Sequence, residues 1–144
     1  MALNTNPIYS GVGDIQWGAT ALVAANTTYE ASGSNVLTVF SASVSGSFVQ
    51  RVRFKASGST VATVARLFIG NTAAPAILSG SNVILFDEIT LPAITSGSTA
   101  AQAVFELPFN VALPAAYRIL ATTATAQVNG GWYVSAVGGS YTTP

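Results

Sequence analysis

The chain has no cysteine, no histidine, a single methionine and only ten charged side chains in 144 residues. Without cysteine there are no disulfides, thiolate metal sites or cysteine nucleophiles. Without histidine the side chain most used as general base, metal ligand and nucleophile activator is missing, so no Ser-His-Asp arrangement exists. Carboxylates remain, and Asp87 with Glu106 or Glu88 with Glu106 would be the pairs from which a glycosidase could be built. Asp87 and Glu88, however, are adjacent and point to opposite faces of a regular strand. A hard-cation site on them would lack the usual loop of alternating oxygen ligands around a turn glycine. Ser10–Asp14, SGVGD, has no Lys-Ser/Thr sequel and is not a phosphate loop. This inventory predicts a protein that is not an enzyme and uses no cofactor or metal.

Charge is scarce as well as balanced. Five cations offset five anions, and charged residues make up 7% of the chain, against roughly 25% in an ordinary soluble domain. Serine, threonine, asparagine, glycine and alanine must therefore cover much of the surface. A neutral surface of that kind has little colloidal repulsion and favours association, which points to a chain that packs against neighbours. Nucleic acid is disfavoured as a partner, because affinity for phosphates depends on several uncompensated Lys and Arg side chains. No run supplies the about 20 predominantly apolar residues of a membrane-spanning helix. The leading MALNTNPIYSGVGD has neither the basic start nor the apolar core of a secretory signal.

What the sequence does have is strand pattern. Segments rich in Val, Ile, Phe, Thr and Tyr alternate with turn clusters of Gly, Ser, Asn and Pro. Strands are expected near residues 15–24, 35–43, 47–56, 60–70, 83–91, 102–113, 117–126 and 131–138. Between them lie Ser45-Gly46, Ser57-Gly58-Ser59, Ser79-Gly80-Ser81-Asn82, Thr95-Ser96-Gly97-Ser98, Pro114-Ala115 and Asn129-Gly130-Gly131. Eight short strands predict an all-β fold, an antiparallel β-sandwich of jelly-roll type, with a small meander barrel as the competing form. Pro92 and Pro108 belong on edges, bulges or bends. Residues 1–14 read as an N-terminal arm and residues 15–144 as a single β-sandwich domain.

One stretch concentrates the positive charge. FVQRVRFKASGSTVATVARLFIGN, residues 48–71, holds Arg51, Arg53, Lys55 and Arg66, four of the five cations. A two-residue turn at Gly58-Ser59 would make it a hairpin, pairing Arg51 with Arg66 and Arg53 with Val64. Phe48, Gln50, Val52, Phe54 and Ala56 would then face the core beside Val61, Thr63, Ala65, Leu67 and Ile69. All four cations would share the outer face with Phe68 as the sole aromatic. Opposed like charges need a nearby anion, and Asp87, Glu88 and Glu106 are the candidate acidic partners within the chain. In FELPFN, Phe105, Leu107 and Phe109 are expected inward and Glu106 outward. The patch reads either as solvated surface, with ion pairs worth roughly 0–1 kcal/mol, or as a protein interface. A single-strand nucleic-acid platform would interleave aromatics with the cations. Trp17 and Trp132 each sit in alternating segments and are expected in the core, with a carbohydrate groove as the alternative use.

Taken together, NTNPIYSGVGDIQWG, the cationic stretch above and LPAAYRILATTATAQVNGGWYVSAVGGSY resemble small structural proteins encoded beside head and tail genes of tailed bacteriophages. The resemblance implies a capsid cement or decoration protein on the virion surface, a homotrimer that binds the major capsid protein. It leaves a tail or baseplate component, or a particle-attached glycan-binding module, as alternatives.

Overall fold

The computed structural model describes residues 10–71 and 82–141. It contains eight strands: β1 Ser10–Trp17, β2 Leu37–Ser41, β3 Ser47–Ala56, β4 Thr63–Gly70, β5 Val83–Leu91, β6 Val104–Leu113, β7 Arg118–Thr123 and β8 Trp132–Tyr141. They form two four-stranded sheets, ordered β1-β8-β3-β6 and β2-β7-β4-β5, and every pairing is antiparallel. All but one of the connections cross from one sheet to the other, the exception being β4 to β5. That order is the double Greek key of a jelly roll, as the strand pattern predicts.

The core lies between the sheets. Val52, Phe54 and Ala56 from β3 and Trp132, Val134 and Ala136 from β8 meet Ala65, Leu67, Ile119 and Ala121 from the opposite sheet. Period-two alternation carries this arrangement: each strand sends every second side chain inward. Phe105 packs edge-on to Trp132, with ring centroids 5.7 Å apart. Phe105, Leu107 and Phe109 do face inward with Glu106 outward. Pro108 sits in edge strand β6 and Pro92 directly follows β5, both where a missing N–H costs no ladder bond.

The outer faces of the two sheets differ. On β2-β7-β4-β5 the outward Phe68, Val83 and Leu120 are covered by the loop between β1 and β2, through Ala31 and Val36. Asn26 fixes this loop. Its side-chain amide donates to the Ser32 and Ser34 carbonyls, its oxygen accepts from the Thr28 N–H and hydroxyl, and its own N–H donates to the Thr123 carbonyl. The outer face of β1-β8-β3-β6 has no such cover among the described residues.

Three expectations are corrected here. Ser10–Asp14, assigned to the arm, belongs to β1, whose backbone pairs with β8 although its glycines give no strand pattern. Residues 1–9 of the arm and Ser79-Gly80-Ser81 of one turn lie outside the described residues. The hairpin at Gly58-Ser59 does not exist, because β3 and β4 belong to different sheets. Thr60 bridges to Ile94 as the chain crosses over. Gly58 instead serves close approach: a Cβ there would lie 2.8 Å from the Asn129 carbonyl oxygen, and one on Gly130 would lie 2.8 Å from that of Ser59. Finally, a register shift between Val49 and Arg51 turns the start of β3 over. Val49 is therefore buried, while Gln50 is exposed and Phe48 only partly buried.

Candidate functional site

The four-cation cluster is divided by the fold. Arg51, Arg53 and Lys55 alternate along β3 and face outward from β1-β8-β3-β6. Arg66 lies in β4, a central strand of the other sheet, and is 7% exposed. Its Nε donates to Glu88 Oε1 at 2.8 Å, and one terminal nitrogen donates to the Asn26 carbonyl at 3.3 Å. Its guanidinium also stacks 4.1 Å from the Tyr29 ring centroid. Arg66 is thus a clasp between the covering loop and the sheet. A face shared with Arg51 is excluded by the crossing between β3 and β4.

The candidate acids also separate. Glu106 lies opposite Arg53 across the β3–β6 ladder, with Oε1 2.7 Å from Arg53 Nε and 3.8 Å from Arg51 Nε. These side chains are all about 40% exposed, so each pair contributes on the order of 1 kcal/mol or less. Glu88 belongs to Arg66. Asp87 turns back to accept the Glu88 backbone N–H at 2.8 Å and meets no cation among the described residues. Arg51 and Arg53 therefore share one carboxylate on the outer face, and Lys55 has no ion pair among the described residues.

Cross-strand register shows what surrounds them. One row across the sheet reads Ile15, Val137, Arg51, Pro108; the next reads Trp17, Ser135, Arg53, Glu106; beyond it lie Tyr133, Lys55 and Val104. Trp17 is 70% exposed and Tyr133 57%. Arg53, Lys55, Val104, Tyr133 and Ser135 line an open depression of about 280 Å³. Trp132 is buried as expected, but Trp17 is not in the core. In β1 the residues turned toward the neighbouring sheet are the polar ones: the Gln16 side chain exchanges two hydrogen bonds with the Ser41 backbone, and Asp14 accepts from Gln16 and from the Ser140 hydroxyl. The apolar Ile15 and Trp17 are left outside.

Reading β3 and β4 as one hairpin placed only Phe68 with the cations. Phe68 is buried under the covering loop, and the aromatics on the cationic face come from β1 and β8 instead. A signal for this is present in the sequence, since Trp17 stands between Gln16 and Gly18, and the apolar alternation Trp132, Val134, Ala136 leaves Tyr133 and Ser135 on the other face. Assigning them to the face required the strand order. Among the described residues no group of three or more Asp and Glu side chains is placed to hold a metal ion. No helix among them is long and apolar enough to cross a membrane. No family model, curated protein or solved structure matches the chain.

Proposed function

We propose that this chain is a non-enzymatic structural protein of a virus particle, a capsid cement protein that lays the outer face of β1-β8-β3-β6 against the major capsid protein. The observation that carries the reading is the asymmetry of the sandwich. One outer face is sealed by its own loop, while the other presents Trp17, Ile15 and Tyr133 beside Arg51, Arg53 and Lys55. Exposed aromatic and arginine side chains on a rigid sheet are the groups that dominate protein interfaces. Cations in excess of carboxylate would orient the chain on an acidic surface. A charge-poor sequence agrees with an assembled role, and jelly rolls include viral capsid domains, although a fold alone does not assign function.

A second reading is favoured by the position of Trp17. The depression beside Lys55, flanked by Tyr133 and with Trp17 next to Ser135, suits a particle-attached glycan-binding module, and jelly rolls also include lectin domains. The two readings separate in one experiment. Purified protein is titrated into particles stripped of it and, in parallel, into a panel of neutral and acidic oligosaccharides while Trp17 emission is followed. The cement reading expects saturable binding to the shell and unchanged emission with every saccharide. Emission that shifts with a saccharide, without shell binding, overturns it in favour of the glycan module.

A further inference from the structure

The two sheets have four edge strands, β1, β6, β2 and β5, and exposed edges are templates for pairing with another chain unless they are blocked. Three of the four are blocked. β6 carries Pro108 and, at Asn110, a backbone φ of 49°, next to a register shift. β5 carries a bulge-type register shift opposite Leu67/Phe68, which bends its edge. β2 is five residues long, shifts register after Thr38, and has the Ser41 N–H and C=O taken by the Gln16 side chain.

β1 is different. The Gly18 N–H donates to the Val134 carbonyl. Because antiparallel ladders alternate between bonded and non-bonded pairs, Asp14 and Gln16 also direct their backbone groups at β8. Gly13, Ile15 and Trp17 consequently direct theirs away from the sheet. Among the described residues nothing accepts or donates there. No proline or cation lies in this strand, and its one register shift is confined to its start, between Ser10 and Val12.

We infer that this edge is a two-fold interface with a second copy of the same chain. Antiparallel pairing centred on Ile15 places Ile15 opposite its own copy and Trp17 opposite Gly13 of the other chain, on both sides of the axis. All three outward N–H groups and all three outward carbonyls of each strand are then satisfied. The side chains also fit. Trp17 is large and 70% exposed, and Ile15 is 61% exposed. Gly13 is open, with nothing within 4 Å of where a Cβ would stand. A ring from one chain covers the glycine of the other, as aromatic side chains do for strand glycines. On the opposite side of the strand Asp14 meets Gln16 of the partner chain, so no like charges face each other. The contact is isologous, as two-fold symmetry requires, and joins two four-stranded sheets into one of eight strands. A two-fold pair replaces the homotrimer implied by the resemblance. This inference does not rest on the particle reading.

The interface is small, in the class below about 1,200 Å² in total, so the dimer is concentration-dependent. Sedimentation equilibrium of the full chain over a wide concentration range tests it. Wild type should show a monomer–dimer equilibrium. Gly13→Phe, tolerated in the protomer but filling the space needed by Trp17 of the other chain, should weaken the dimer at least ten-fold. Ile15→Pro, which removes an outward N–H that no described residue uses, should do the same. Far-ultraviolet circular dichroism of both variants should match wild type. A variant that loses this spectrum is replaced in the comparison by Trp17→Ser, which touches neither the ladder nor the core. Monomer at every concentration, a trimer, or a dimer that folded variants leave unchanged would overturn the inference.

Discussion

Arg66 shows how far a side chain's meaning depends on what surrounds it. In sequence it is one of four clustered cations; in the fold it is a buried clasp held by Glu88, the Asn26 carbonyl and the Tyr29 ring. Hydrogen bonds to charged groups contribute about 1.5–3 kcal/mol each when one partner is buried. Arg66→Ala should therefore lower stability by about 2–3 kcal/mol in urea unfolding. Arg53→Ala, whose pair with Glu106 is about 40% exposed, should cost less than about 1 kcal/mol. Equal costs for the two would mean that the clasp is not structural. Residue type and alternation were sufficient to place Trp132, Phe105 and Glu106 correctly. They misplaced Trp17, because an edge strand has turned its polar side chains inward to bond the other sheet.

At the scale of elements, seven of the eight strands fall where alternation and turn residues put them, and β3 and β5 match residue for residue. Local pattern specifies a strand because burial of every second side chain is a local property. Pairing partners are not local. Gly58-Ser59 has turn chemistry, yet it lies on a crossing whose constraint comes from Asn129 and Gly130, some seventy residues away. Gly58→Ala should accordingly force the two loops apart and cost about 1–3 kcal/mol, the usual penalty for overpacking. Gly13→Ala, which meets open space, should change the melting temperature little. A Gly58→Ala protein as stable as wild type would show that the loops can separate freely. The register shift between Val49 and Arg51 was equally illegible, since it depends on β6 and β8 lying on either side of β3.

Across the whole molecule, the two sheets differ in how their outer faces are finished. The sheet β2-β7-β4-β5 is sealed by a loop tied through Asn26 and Arg66, which contributes to the core. The sheet β1-β8-β3-β6 keeps an uncovered outer face where three cations and a single carboxylate lie among exposed Trp17, Ile15 and Tyr133. Charge scarcity in the sequence has its counterpart in an outer face where exposed apolar side chains stand among few charges. The cation cluster survives as three residues instead of four, and it gains aromatic neighbours that no single stretch of sequence contains. The proposed protein partner suits this face better than a nucleic acid would, because its few cations are already partly compensated by Glu106.

The most direct test of the docking claim is quantitative binding to particles stripped of this protein, comparing wild type with Arg51→Glu combined with Lys55→Glu. That variant reverses the sign of the face and leaves the Arg53–Glu106 pair in place. The variant should keep the wild-type fold and bind at least ten-fold more weakly, with the loss diminishing as salt screens the wild-type attraction. Binding by the folded variant equal to that of wild type at every salt concentration would contradict the docking claim.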